Sequence, residues 1–257
     1  IGWGGSLIRT EATGYGLIYF AENMLMETKD TIKGKVCLVS GSGNVAQYAI
    51  EKIVQLGGKA VTASDSNGYV YDEAGISLEK LAFLKDLKNN RRGRIKEYAE
   101  RFSGVVYQSI NTTDDYNPLW NIPADCAFPC ATQNEINEKD AHNLVNNKIK
   151  LLCEGANMPV TISGINVLID NGILYAPGKA SNAGGVATSG LEMTQNYMGM
   201  HWTSEKVDST LQDIMKHIHD TSLVTAKGYN KPRNYMVGAN IAGFLKVARA
   251  MQAQGAI

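Results

Sequence analysis

The segment Lys35-Val-Cys-Leu-Val-Ser-Gly-Ser-Gly-Asn-Val-Ala46 constrains the fold of this chain more than any other. An apolar run, residues 36–39, enters a turn with Gly41, Ser42, Gly43, Asn44 and Val45, and a helix-forming stretch leaves it. The first glycine permits the tight turn, and the second lets backbone approach a phosphate. A small third residue, here Ala46, lets helix and strand pack closely. Exposed N–H groups and the positive end of the helix dipole then bind an anion without a charged side chain. Tyr48, Ala49, Ile53 and Leu56 form an apolar helical stripe that Gly57-Gly58 ends. A strand over 59–64 follows, with Asp65 at its tip, roughly 20 residues past the turn, where this fold places a carboxylate near the adenosine ribose. Strand, turn, helix, strand and acid in that order point to a bound dinucleotide. The plainer alternative is an ordinary strand-to-helix loop with Asp65 as a turn cap.

The alternation continues along the chain. A helical pattern covers 6–27, and a polar link over 28–34 leads to the first strand. Asn67-Gly68 marks a turn before Tyr69-Val70-Tyr71, and Ser77 can cap a helix whose body includes 80–87, with another over 95–102. Further strands are expected at 104–108, 125–128, 150–154 and 173–175, and helices at 139–146, 160–170, 183–197, 204–226 and 237–253. Strands alternating with helices predict an α/β fold, a Rossmann-like, doubly wound, mostly parallel sheet with long N- and C-terminal helices. Ligands in such a sheet bind beyond the carboxyl ends of the strands.

Composition removes several other classes. Lysine plus arginine and aspartate plus glutamate number 25 each among 257 residues, so no overall field draws the chain to nucleic acid or membrane. No apolar run reaches the ~20 residues that span a bilayer, and no charged-then-apolar leader opens the chain. A cytoplasmic protein with reduced, buried cysteines at 37, 126, 130 and 153 is the expectation. Cys126 and Cys130 bracket Ala-Phe-Pro, which is not a zinc spacing, and His217 and His219 do not share a helical face, so no metal is expected. The chain opens on Ile1-Gly-Trp-Gly-Gly without an initiator methionine, which reads as an excised portion of a longer protein.

Three polar clusters fall at expected strand ends: Pro129-Cys-Ala-Thr-Gln-Asn134, Glu154-Gly-Ala-Asn-Met-Pro159 and Ala176-Pro-Gly-Lys-Ala-Ser-Asn-Ala-Gly-Gly185. Small residues with an amide or hydroxyl suit a site that meets its ligand by backbone, with Asn157 and Asn182 able to bond a carboxamide or ribose. The basic run Lys88-Asn-Asn-Arg-Arg-Gly-Arg94 has three readings: a solvated loop, a nucleic-acid patch, or cations for the 2′-phosphate of NADP. The neutral chain and the lack of interleaved aromatics disfavour the second. Asp65 opposes the third, because a carboxylate repels that phosphate.

Arg9-Thr-Glu-Ala-Thr-Gly-Tyr-Gly16, Ser40-Gly-Ser-Gly-Asn-Val-Ala46, the clusters at 129–134 and 154–159, and Ser181-Asn-Ala-Gly-Gly-Val-Ala-Thr-Ser-Gly-Leu-Glu-Met193 closely resemble the hexameric, NADP-using microbial glutamate dehydrogenases. The likeness extends to Gly238-Ala-Asn-Ile-Ala-Gly-Phe244. It implies a dinucleotide-binding domain over 1–236 and a C-terminal helix over 237–257 that returns to a substrate domain absent here. By resemblance, Thr13, Gly41, Ser42, Gly43, Asn44, Val45, Ala131 and Thr132 contact the cofactor, with Asp65 near the adenosine ribose. Lys88 approaches the 2′-phosphate, with Arg91 and Arg94 as further candidates, and Asn157 and Asn182 line the nicotinamide end. Val186 and Ser189 close the substrate pocket, Ser189 toward the side-chain carboxylate of glutamate.

The reaction so implied interconverts L-glutamate with 2-oxoglutarate and ammonium in a homo-oligomer, a hexamer in this family. The family's catalytic lysine and aspartate belong to the absent domain, and Lys179, in a different motif, is not that lysine. These residues alone are therefore expected to bind cofactor without turnover. The alternatives are an NAD-using glutamate or other amino-acid dehydrogenase, and a nucleotide-sensing module without chemistry.

Overall fold

The computed structural model describes residues 1–111 and 115–255. Helix α1 (Ala12–Met26) leads to β1 (Val36–Val39), and α2 (Asn44–Gln55) follows the glycine turn. Next come β2 (Lys59–Ala60), β3 (Thr62–Asp65) and β4 (Gly68–Tyr71), then α3 (Leu78–Lys85), α4 (Lys96–Arg101) and β5 (Val106–Ser109). The rest alternates: β6 (Cys126–Phe128), α5 (Glu138–Asn146), β7 (Leu151–Cys153), α6 (Ile162–Asp170) and β8 (Leu174–Ala176). Four helices close the chain: α7 (Gly178–Ser181), α8 (Gly184–Met198), α9 (Ser204–Gly228) and α10 (Tyr235–Gln254).

Strands β2-β1-β6-β7-β8 form a five-stranded sheet in that order, every pairing parallel. Its middle strands are apolar along their whole length, as a sheet covered on both faces requires. From β1 the chain moves outward to β2 and then returns to the other side of β1 as β6. The order therefore reverses between β1 and β6, which opens a crevice at the strands' carboxyl ends.

One departure from the expected sheet concerns the run over 59–64 and the strand expected at 104–108. The run divides at Val61: β2 stays beside β1, while β3 pairs antiparallel with β4, and β4 with β5, in a separate three-stranded sheet. Local pattern cannot tell which partner a short strand takes, since alternation specifies a face and not a neighbour.

Helix ends follow their caps. The Ser77 side chain accepts the Lys80 N–H, Thr161 accepts from Gly164, Thr203 from Lys206 and Asn234 from Val237. Asn137 and Asp140 form a reciprocal capping box at α5. The first helix starts at Ala12 and not at residue 6, because Ile8, at φ +60°, breaks any earlier helical turn. The C-terminal segment expected over 237–257 begins two residues earlier, at Tyr235, and positions 256–257 lie outside the described residues.

Two apolar clusters flank the sheet. One gathers Leu17, Ile18, Phe20, Met24, Val39, Ile50, Phe128 and Tyr98, and the other Leu38, Trp120, Leu152, Leu168 and Tyr175. Each large side chain fully withdrawn from water contributes about 1.5–3 kcal/mol. Helix α1 lies deepest, and it crosses α8 where Gly16 meets Gly184: a Cβ at Gly16 would stand 2.8 Å from the Gly184 Cα. That crossing places α8 beside the strand ends. The buried His219 bonds Tyr235 Oη at 3.0 Å and so ties α9 to α10. The four cysteines are free and buried. No described helix is long and apolar enough to cross a membrane.

Candidate functional site

The glycine turn is built by its neighbours. The Gly41 N–H donates to Ser64 Oγ at 2.7 Å, and the Ser64 N–H donates to the Gly41 carbonyl at 3.0 Å. Gly41 has φ +81°, and a Cβ there would stand 2.9 Å from the Cys130 carbonyl oxygen. Beyond the turn, α2 begins at Asn44 with no side chain capping its first N–H groups and no acid in its first turn. An uncapped helix start at the mouth of the crevice has the geometry of an anion cradle. Ser42 is buried, and its carbonyl accepts Gln47 Nε2 at 2.8 Å. Asn44 is exposed and donates from Nδ2 to the Thr10 carbonyl at 2.7 Å, joining the turn to the approach of α1.

A cleft of about 640 Å³ opens beside this cradle, at the ends of β6 and β7 and against α1 and α8. Thr13, Val45, Ala131, Thr132, Asn157, Asn182, Val186 and Ser189 all line it. Eight residues singled out from separate stretches of sequence thus share one cavity. Arg9, Cys130 and Gln133 line it too and were not assigned roles from sequence, although each sits inside a motif quoted above. Arg9 pairs with Glu192 of α8 at 3.3 Å. Burial pushes the Cys130 thiol well up, so it packs as a neutral group and not as a nucleophile.

The strand-end loops hold one another. The Gly155 and Ala156 N–H groups both donate to the Pro129 carbonyl at 2.9 Å. Asn182 Nδ2 donates to Asn157 Oδ1 at 2.9 Å and lies 3.2 Å from the Gly155 carbonyl, so the two asparagines form one unit. Beneath them Glu154, 3 % exposed, accepts from Tyr175 Oη at 2.8 Å and from the Gly178 N–H at 2.7 Å. Its pKa is raised, burial outweighing those bonds. Ser189 Oγ donates to the Gly185 carbonyl at 3.0 Å, and Val186 is 76 % exposed at the cleft's edge.

The remaining candidates stand apart from that cleft, around the tip of β3. Asp65 accepts the Ile95 N–H at 2.8 Å and the Asn67 N–H at 2.9 Å, with Lys88 Nζ at 3.4 Å. Burial opposes ionisation, yet these donors hold its carboxyl below the usual range. Arg94 is exposed and donates to Ser66 Oγ at 3.0 Å. Arg91 pairs with Asp86 at 2.9 Å and stacks over Phe83, 4.7 Å from the ring centroid. Lys88 and Arg94 therefore reach the tip of β3, whereas Arg91 is engaged on α3 and the turn after it. Lys179 donates to Asn240 of α10 at 2.7 Å, a structural tie.

The fold, the cradle and the motifs agree with what sequence comparison finds. The profile describing Glutamate/Leucine/Phenylalanine/Valine dehydrogenase matches residues 4–255. The chain belongs to that family. Among the similar members are the NAD(P)-specific glutamate dehydrogenase of Xylanibacter ruminicola, 56 % identical over 98 % of this chain and 55 % of its own length, and the NADP-specific enzyme of Haemophilus influenzae, 56 % identical over 99 % and 56 %. A solved glutamate dehydrogenase 2 of Plasmodium falciparum superposes with a TM-score of 0.95 at 50 % identity, covering all of this chain and 55 % of that one. The chain spans about half the length of the curated relatives it matches.

Proposed function

We propose that the chain is the cofactor-binding part of an NADP-dependent glutamate dehydrogenase, cytoplasmic and, by family resemblance, hexameric. The observation that carries this reading is the uncapped start of α2 at the switch between β1 and β6, opening onto a cleft lined by the family's motif residues. The names of the similar proteins favour glutamate and NADP.

In this reading Gly41, Ser42, Gly43, Asn44 and Val45 cradle the pyrophosphate by backbone and helix dipole. Asp65 meets the adenosine ribose, while Lys88 and Arg94 receive the 2′-phosphate. Thr13, Ala131, Thr132, Asn157 and Asn182 seat and orient the nicotinamide end. Bound cofactor supplies hydride chemistry at carbon, and the protein supplies orientation and exclusion of water. Val186 and Ser189 form the wall against glutamate or 2-oxoglutarate, with Ser189 placed to bond a carboxylate. By family resemblance, polarising the substrate and moving its protons fall to a lysine and an aspartate outside these residues. These 257 residues therefore bind cofactor without sustained turnover.

Fluorescence titration with NADPH and with NADH tests the reading. Tighter binding of NADPH is expected. Preference for NADH assigns the tip of β3 to ribose hydroxyls and the run over 88–94 to a solvated loop. Steady deamination of glutamate by the pure chain would overturn the division of labour.

A further inference from the structure

Glu135 follows the cluster that ends β6, yet it does not line the cleft and has no part in the reading above. The chain leaves Phe128, passes Cys130 to Gln133 along the cleft, and reverses at Asn134, whose φ is +55°. The reversal carries the Glu135 side chain back beneath the loop. Its Oε1 accepts the Ala131 N–H at 3.0 Å and the Thr132 N–H at 3.4 Å. The Ser40 hydroxyl lies beside the same carboxylate, and Ser40 Oγ accepts the Cys130 N–H at 2.9 Å. One side chain therefore joins the end of β1, just before the glycine turn, to the loop after β6. The flanks of the loop are pinned independently: the Asn134 N–H donates to the Met158 carbonyl, and the Ile136 N–H to that of Pro159, each at 2.9 Å.

We propose that Glu135 is a positioning residue of the cofactor cleft, its carboxylate bracing the backbone of Ala131 and Thr132 so that the nicotinamide end is held in place. The inference rests on the cofactor reading of that cleft. Two amides side by side on an exposed loop have no strand or helix partner, and a single ionised oxygen satisfies both. An ionised acceptor bonds more strongly than a neutral carboxylic acid, so the brace tightens when Glu135 loses its proton.

The change falls in a useful range. Burial raises the carboxyl from 4.5 to about 7, Ser40 and the two amides pull it down, and the like-charged Asp140 of α5 pushes it further up. The Cys130 thiol, also facing it, stays neutral. The Ala131 and Thr132 bonds are accordingly charge-assisted at pH 8 and weakened at pH 6.

Two measurements on the intact chain test this, each comparing it with Glu135→Gln, which keeps the size of the side chain and an acceptor oxygen. In amide NMR, the Ala131 and Thr132 N–H signals are expected to titrate together with a midpoint near 7 and to stay flat in the variant. The same titration in Glu135→Gln, or none in the parent, overturns the proposal. In NADPH titrations, the ratio of Kd at pH 6 to Kd at pH 8 is expected to be roughly two- to tenfold larger for the parent, the effect of one weakened hydrogen bond. The cofactor's own phosphate ionises in this range but is common to both proteins, so the difference isolates Glu135. Equal ratios overturn the proposal. Should the parent bind no NADPH, the cofactor reading fails, and the amide titration alone decides whether Glu135 braces the loop.

Discussion

Lys88 Nζ lies 3.4 Å from Oδ2 of Asp65, and this pairing reconciles two features that conflict in the sequence. An acid at the tip of β3 repels a 2′-phosphate, while the basic run invites one. Placed side by side, the ammonium offsets the carboxylate, and Arg94 on Ser66 Oγ adds a second cation at the same edge. Lys88→Ala is expected to weaken NADPH binding roughly tenfold or more, the scale of a lost bond to a charged group, with little change for NADH. Parallel titrations with the two cofactors measure it.

Gly41→Ala is expected to damage the site and the fold together. At φ +81° an alanine costs about 1–2 kcal/mol in conformation alone. Its Cβ also meets the Cys130 carbonyl, which must move and carry the cleft-lining loop with it. A lower Tm and loss of cofactor binding are the readouts; an unchanged affinity would show that the turn does not hold the phosphates.

Glu154 is a structural acceptor under the two asparagines. Glu154→Ala leaves the Tyr175 hydroxyl and the Gly178 N–H without that acceptor. Each unsatisfied group costs about 1–3 kcal/mol, so Tm should fall by roughly 5–15 °C in thermal melts. Glu154→Gln, which keeps an acceptor, should be milder.

Acid stability has an identifiable contributor far from the cleft. Asp30 pairs with Lys35 at 2.6 Å and with Lys150 at 3.3 Å. The Lys35 bond first, then the Thr31 N–H, holds its carboxyl down at about 2 against an ordinary 3.8. A pKa depressed in the folded state stabilises the protein above the ordinary value, and that contribution is lost as pH falls toward 2. Denaturant melts of Asp30→Asn should show a shallower loss over that window than the parent.

Ser189→Ala tests the substrate wall in the complete enzyme. Removing one hydroxyl bond to a carboxylate should raise KM for glutamate roughly tenfold with a smaller effect on kcat. An unchanged KM would remove Ser189 from the substrate site and leave it as a helix residue bonded to Gly185.

The order of elements and the glycine turn were legible because both are local. Strand, glycine turn and helix start lie within Lys35 to Ala46, and the cap at Ser77 acts within four residues of its own helix. The motif residues themselves could be picked out by resemblance, segment by segment. Their assembly could not, because Thr13, Ala131, Asn157 and Ser189 are separated by long stretches of chain and meet only through parallel pairing and the α1–α8 crossing.

The sequence by itself determined the α/β alternation, the turn that needs glycine, and the family. Period, propensity and backbone freedom are properties of neighbouring residues. Tertiary structure alone decided that β3, β4 and β5 form a sheet of their own, and that Glu135 takes the amides of Ala131 and Thr132. Each is a choice among partners distant in the chain or offered by a reversal of the backbone. Packing and charge in the assembled molecule make that choice.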